Sequence, residues 1–133
     1  MLKLEIVTPE KRILDAEVDS VTVPTASGEA GILPHHAPLI SALKPGVLSY
    51  TSKGAVEKLA VTGGFVEVNG DKVAVLADSA ESADEIDAAA ARSERDIAEK
   101  ALAAAASSSL EDNQAVRDQL DAANVRLQLV SGR

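Results

Sequence analysis

The sequence predicts an α+β fold, in which an N-terminal antiparallel β-sandwich, or flattened barrel, precedes a C-terminal antiparallel two-helix hairpin. Three observations carry that expectation. Short apolar runs before about Asp84 alternate with polar residues at a period of two and are separated by turn residues. Composition then breaks: seven of the eight Gly, all five Pro and both aromatics, Tyr50 and Phe65, lie before Asp84, whereas thirteen Ala and no Pro follow it. Finally, the second segment opens on a Ser-x-x-Glu sequence and spaces apolar residues by three and four, the spacing of a helix with one buried stripe. The division is therefore a sandwich over 1–84 and a helical hairpin over 85–133.

The first strand is read from Leu2, Leu4 and Ile6 alternating with Lys3 and Glu5. Further strands follow at Arg12 to Asp19, Ser20 to Val23, Leu39 to Leu43, Val47 to Thr51, Val56 to Thr62, Phe65 to Val68 and Val73 to Ala77. Lys44-Pro45-Gly46, Ser52-Lys53-Gly54 and Asn69-Gly70 separate them, and Asn-Gly between alternating runs is a strong hairpin signal. Gly63-Gly64 reads as a bulge or tight bend between strands rather than as a phosphate-binding turn. Many short strands at regular spacing give the sandwich or barrel.

Ser82-Ala83-Asp84-Glu85 has the form of a capping box and predicts a helix start there. Ile86, Ala90, Ile97 and Ala101 form a narrow apolar face, and the helix is expected to run to about Ala106, before Ser107-Ser108-Ser109. In the second helix Val116, Leu120, Ala123, Leu127 and Val130 make the seam for an antiparallel partner. Few large apolar residues serve this hairpin, so it needs a surface to dock on. The charges Glu94, Arg95, Asp96, Glu99 and Lys100 form a solvated face with i,i+4 pairs such as Asp96 to Lys100.

At 133 residues the chain suits one small domain with an appendage. Its net charge of −8 repels phosphate backbones and anionic headgroups, which excludes nucleic acid as the expected partner. No cysteine is present, hence no disulfide or thiolate metal site. Neither a signal peptide nor an apolar span of membrane length is found, so membrane association is expected only through a partner. Phosphate-loop, dinucleotide, zinc-protease and nucleophile-elbow motifs are all missing. His35 and His36 follow Pro34 with Glu29 seven residues before His36, which suggests a metal or general-base site. Adjacent side chains in extended chain diverge, however, and no third His or Cys completes a coordination shell. No catalytic residue, metal or cofactor is expected.

Residues Gly28-Glu29-Ala30-Gly31-Ile32-Leu33-Pro34-His35-His36-Ala37-Pro38-Leu39, continuing through Leu43-Lys44-Pro45-Gly46, closely resemble the G-E-x-G-I-x-P-x-H-A-P-L…L-x-P-G signature of the epsilon subunits of F-type ATP synthases. Leu4 to Pro9 resembles that family's first strand, Gly63 to Val68 its G-G-x-x-E-V, and Val75 to Asp78 its V-L-A-D, so the likeness spans the chain. The resemblance implies a noncatalytic subunit of the rotor's central stalk. Such a subunit is held by the gamma subunit, seated on the c-subunit ring and coupled to proton flow, with chemistry confined to beta subunits. It further implies a peripheral position on the cytoplasmic face of a bacterial inner membrane, or its organellar equivalent. Glu29 and His36 match family positions in the sandwich loop that faces the c-ring, whereas His35 falls where the family varies.

In some members of the family the hairpin extends toward alpha and beta subunits to inhibit ATP hydrolysis, or folds down with bound ATP. The ATP-linked motif there reads [IL]-D-x-x-R-A. Here Ile86-Asp87-Ala88-Ala89-Ala90-Ala91 puts Ala90 in the arginine position, and Ile97 stands where a second arginine is expected. Losing two guanidinium forks removes the bidentate phosphate contacts, and neighbouring Arg92 and Arg95 turn about 100° per position toward other faces. No nucleotide site, or only a very weak one, is therefore expected. The second helix is short of basic residues, with Arg117, Arg126 and Arg133 against Glu111, Asp112, Asp118 and Asp121, which argues against strong inhibition. Two rival readings stand beside this one. A β-sandwich binding module of another assembly would not co-purify with a gamma-like coiled coil; a small hydrolase using Glu29 and His36 would lose a pH-dependent activity on His36→Ala.

Overall fold

A computed structural model describes residues 1–35, 37–104 and 110–131, with side chains described outside 110–113 and 131. His36, the Ser107-Ser108-Ser109 break, the expected helix end at Ala106 and Arg133 lie outside the described residues. Eight strands come first: β1 (Leu2–Val7), β2 (Arg12–Val18), β3 (Ser20–Thr25), β4 (Gly28–Ile32), β5 (Leu39–Ala42), β6 (Gly46–Ser52), β7 (Ala55–Asn69) and β8 (Lys72–Ser82). Two helices follow, α1 (Ala88–Ala104) and α2 (Leu110–Ser131). The strand order is β2-β1-β8-β7-β6-β3-β4, with β5 beside β7. The long β7 and β8 pass through both layers of the sandwich. One layer holds β2, β1 and β5 with the β7–β8 hairpin end, and the other holds β6, β3 and β4 with the opposite end.

The sheet departs from a fully antiparallel one in a single place among the described strands, since β1 runs parallel to β8 with Leu4 opposite Val73 and Ile6 opposite Val75. These strands are far apart in sequence, so no short turn fixes their relative direction. Another difference concerns Gly63-Gly64, where two expected strands are one strand of 15 residues. Both glycines have positive φ, 62° and 100°, and a Cβ on Gly64 would fall on the Leu76 carbonyl and 2.8 Å from Ala77 Cα. Only glycine lets β7 bend there against β8. The partner strand breaks at the same level: β5 and β6 share one register with β7, Ala42 opposite Phe65 and Gly46 opposite Val61, and residues 43–45 interrupt them.

Strand β4 had no clear sequence signal, because Gly28-Glu29-Ala30-Gly31-Ile32 has too few β-forming residues to read as a strand. Its pairing with β3 supplies what propensity lacks, from Val21 opposite Ile32 to Thr25 opposite Gly28. Two turns refine the expectation. Lys53-Gly54 joins β6 to β7 with φ of 52° and 81°, the primed geometry that follows strand twist. The β7–β8 loop is Gly70-Asp71 rather than Asn69-Gly70, since Asn69 still pairs with Lys72.

The core lies between the layers. Leu2, Leu4 and Ile6 of β1, Val21 and Val23 of β3, Leu48 of β6, Val66 and Val68 of β7, and Val73 and Val75 of β8 are all buried. Each contributes roughly 1.5–3 kcal/mol on full burial, so alternation in sequence becomes the main source of stability. Backbone bonds close the edges: Asp19 N–H donates to the Thr51 carbonyl at 2.7 Å, and Ala26 N–H to the Ala42 carbonyl at 2.9 Å.

The helical half begins later than the Ser-x-x-Glu signal implies. Ala83–Glu85 forms one turn of 3-10 helix, Ile86 is extended, and α1 starts at Ala88. The reason is a competing cap: Asp87 Oδ1 accepts the N–H groups of Ala89 at 2.9 Å and Ala90 at 3.1 Å. Glu85 has a local role instead, because its Oε1 accepts from Ser82 N–H at 3.1 Å and Ser82 Oγ at 3.0 Å. The backbone and side-chain bonds from Ser82, helped by the charge of Lys11, hold the Glu85 carboxyl below its ordinary 4.5. A lowered folded-state value means that this stabilisation is present above the ordinary carboxylate range and lost as pH falls through the folded value. Glu85→Gln should therefore lower the urea midpoint at pH 7, with the gap to the parent chain closing on acidification; an equal gap at both pH values would contradict it.

Along α1 the buried positions are Ala91 and Ala98, not the expected face through Ala90 and Ile97. Ala90 is exposed and Ile97 is 65% exposed. Small side chains one position on let α1 approach α2 closely, and this selects the alanine stripe over the bulkier isoleucine. The α2 seam is only partly as expected. Ala123 is buried and Val116, Leu120, Leu127 and Val130 are half-buried, but Val125 and Leu129 are buried as well. The latter pair packs with Ala60 of β7, Val47 of β6, Ala83 and Ile86, so α2 has a second contact surface on the sandwich. Asp96 pairs with Arg95 at 3.4 Å rather than with Lys100, and Arg95 also lies 4.0 Å from Glu99.

Candidate functional site

Glu29 is in strand β4, opposite Pro24, rather than in the loop that follows. It is exposed and borders an open groove of about 510 Å³ shared with Lys44, Lys58 and Gln128 of α2. The loop begins at Leu33, four residues or about 13 Å of extended chain away, so strand geometry separates Glu29 from His35. His35 takes a left-handed φ of 66°, and its N–H donates to Asp71 Oδ1 at 2.9 Å, with Nδ1 at 3.7 Å from the same oxygen. The histidine loop is thereby tied to the β7–β8 turn. His36, the matched residue, lies outside the described set. Among the described residues no group of three His, Cys, Asp or Glu is arranged to hold a metal.

A second surface was not singled out from the sequence. Val7 of β1, Leu76 of β8, Phe65 of β7 and Ala42 of β5 are paired side by side in register. Their neighbours Ile6, Val75 and Val66 face the core, so pleat alternation turns this row outward. Phe65, the chain's single phenylalanine, is 56% exposed, Leu76 is 56% exposed, and Ile40 beside them on β5 is more exposed still. A contiguous apolar row with an aromatic at its centre marks a protein-binding surface more than scattered exposed side chains do. The hairpin packs on the other layer, against Val47 and Ala60. The signal in the sequence was the alternation Phe65, Val66, Glu67, Val68, which cannot put Val66 and Phe65 on one face.

The third region is the junction of hairpin and sandwich. Arg126 of α2 donates from Nε to Glu81 Oε1 of β8 at 2.8 Å and from Nη1 to Glu94 Oε2 of α1 at 2.6 Å. Ile97 and Ala122 flank this group in a shallow groove of about 410 Å³. Asp87, which the nucleotide motif retains, is occupied as the cap of α1, and the Ala90 N–H donates to it. Neither Ala90 nor Ile97 offers a donor to a phosphate. Among the described residues no helix is long and apolar enough to cross a membrane.

Comparison with known proteins agrees with this architecture. Residues 1–83 match the family "ATP synthase, Delta/Epsilon chain, beta-sandwich domain". The "ATP synthase epsilon chain" of Carboxydothermus hydrogenoformans is 50% identical over 102 residues, covering 77% of this chain and 76% of the relative. That of Herpetosiphon aurantiacus is 44% identical over 132 residues, 99% of this chain and 96% of the relative. Among solved structures, one of the Euglena gracilis mitochondrial ATP synthase, comprising OSCP, F1 and c-ring, contains a chain that superposes with a TM-score of 0.80 at 25% identity. The match covers 96% of this chain and 79% of that one. With the sandwich, the two helices and near full-length relatives in agreement, the chain belongs to the ATP synthase epsilon chain family.

Proposed function

We propose that the chain is a noncatalytic central-stalk subunit of a proton-translocating ATP synthase, which helps couple proton flow to ATP synthesis. The observation that carries the proposal is the outward row Val7, Leu76, Phe65 and Ala42 on the sandwich layer opposite the hairpin. A subunit that transmits torque needs a surface that stays seated under load, and desolvated aromatic and aliphatic anchors supply that. The gamma subunit is the occupant assigned to this row. Glu29, with His36, is assigned to the c-ring, where charged contacts suit a partly wet interface that fixes register. The sandwich, 1–84, is thus the coupling half. The hairpin, 85–133, reaches alpha and beta subunits only when it leaves the sandwich, and its acidic second helix gives it a weak part at most in restraining hydrolysis. The chain sits peripherally on the cytoplasmic face of a bacterial inner membrane and meets the membrane only through the complex.

Kinship with the Euglena complex, whose structure includes F1 and c-ring, supports this placement. Affinity capture of the full chain from detergent-solubilised membranes tests it. Gamma and c subunits should be recovered together with the chain, and depleting the chain should reduce proton-driven ATP synthesis until it is added back. Capture without gamma, or synthesis indifferent to depletion, would overturn the assignment.

A further inference from the structure

Three elements distant in sequence meet at one side chain. Arg126 from α2 reaches Glu81 on β8 at 2.8 Å and Glu94 on α1 at 2.6 Å, and its own side chain is only 24% exposed. Beneath it the contact between hairpin and sandwich is small: Val125 and Leu129 are the two large buried side chains that α2 sets against Ala60, with Val47, Ala83 and Ile86 partly buried around them. The α1–α2 contact relies largely on alanines, Ala91, Ala98 and Ala123. Small apolar interfaces of this kind give modest affinity, so a charged fork that grips both neighbours has a large share in whether the hairpin stays down.

We infer that Arg126 is an intramolecular latch, which fastens both helices to the sandwich through Glu81 and Glu94 and holds the hairpin down without any bound ligand. Its planar fork is what the geometry requires, because two different nitrogens serve two carboxylates on separate elements. A lysine has one ammonium on a flexible stem and lacks that fixed fork. Arg95 of α1 is engaged with Asp96 and Glu99, and the described ion pairs give Glu81 and Glu94 no cation besides Arg126. Partial exposure makes the latch sensitive to ionic strength, in contrast to the dry sandwich core. The inference is independent of which partner occupies the Phe65 row.

Hydrogen exchange on the full-length free chain tests it. In Arg126→Ala, amides of α1 and α2 should exchange at least tenfold faster while those of β1 and β8 near Val73 keep their protection. Arg126→Lys should fall between, and Glu94→Gln should loosen α1 more than β8. Raising salt to 1 M should speed helix exchange in the parent chain but have little effect in Arg126→Ala. Helix exchange unchanged in both Arg126→Ala and Glu94→Gln would overturn the latch. So would equal loss of protection in helices and core strands, which would make Arg126 part of global stability.

Discussion

Gly64→Ala is expected to be the most damaging single-methyl substitution in the chain, with a loss of about 3 kcal/mol or more in unfolding free energy. Two effects combine. A φ of 100° is strained for any L side chain, and the new Cβ would overlap backbone atoms of Leu76 and Ala77 on the neighbouring strand, which cannot rotate away. Gly70→Ala provides the control, because Gly70 also has positive φ, 63°, but has nothing within 4 Å of a Cβ position. Strain alone should cost that variant about 1 kcal/mol. Urea denaturation of both, followed by far-ultraviolet circular dichroism, separates the two terms. A Gly64→Ala loss no larger than that of Gly70→Ala would mean that β7 and β8 need no close approach at the bend. The bend also has a functional consequence: it carries β7 from one layer to the other, so that Leu59 and Val61 serve the hairpin's layer while Phe65 turns outward beside Leu76.

Leu76→Asp combined with Phe65→Asp is expected to weaken binding of the gamma subunit by about 30-fold or more, on the scale of two hot-spot kcal/mol. Both side chains are 56% exposed in the free chain, so their replacement leaves the core intact, and the urea midpoint should fall only modestly, through two like charges placed opposite each other on β7 and β8. Two carboxylates set in register on adjacent strands would face the partner's apolar surface with charges that must be desolvated. Calorimetric titration against purified gamma measures the change. Affinity equal to that of the parent chain would remove the row from the interface.

The sandwich was legible because its alternation is regular: Leu2, Leu4 and Ile6, or Val66 and Val68, face the core as a period of two demands. What the pattern could not convey was long-range pairing. Nothing local tells β1 to run parallel to β8, and nothing in Gly28 to Ile32 signals a strand that exists because β3 is beside it. In the helical half, the Ser82 to Glu85 signal was real chemistry at the wrong scale, since its hydrogen bonds form but close only one 3-10 turn before Asp87 caps α1. The helical faces were misjudged by one position, because hydrophobicity favours Ile97 whereas close packing favours Ala98. Val125 and Leu129 lie outside the seam of five residues spaced by four and three, which accounts for one contact surface, whereas α2 has two. Of the site residues, Glu29 was found by motif, yet its place on a strand away from the histidine loop follows only from the β3–β4 register. Arg126 was read as one cation among too few. Its three-way contact is set by tertiary structure.

The chain contains no cysteine, so Phe65→Cys gives a unique reporter on the row assigned to the gamma subunit. Maleimide labelling of that variant, first as free chain and then in the assembled ATP synthase, tests the central claim most directly. Rapid labelling of the free chain, strong protection in the complex and an oxidative or bifunctional cross-link to gamma are predicted. Labelling in the assembled complex as fast as in the free chain would contradict the account, because the row would then face solvent while the rotor is intact.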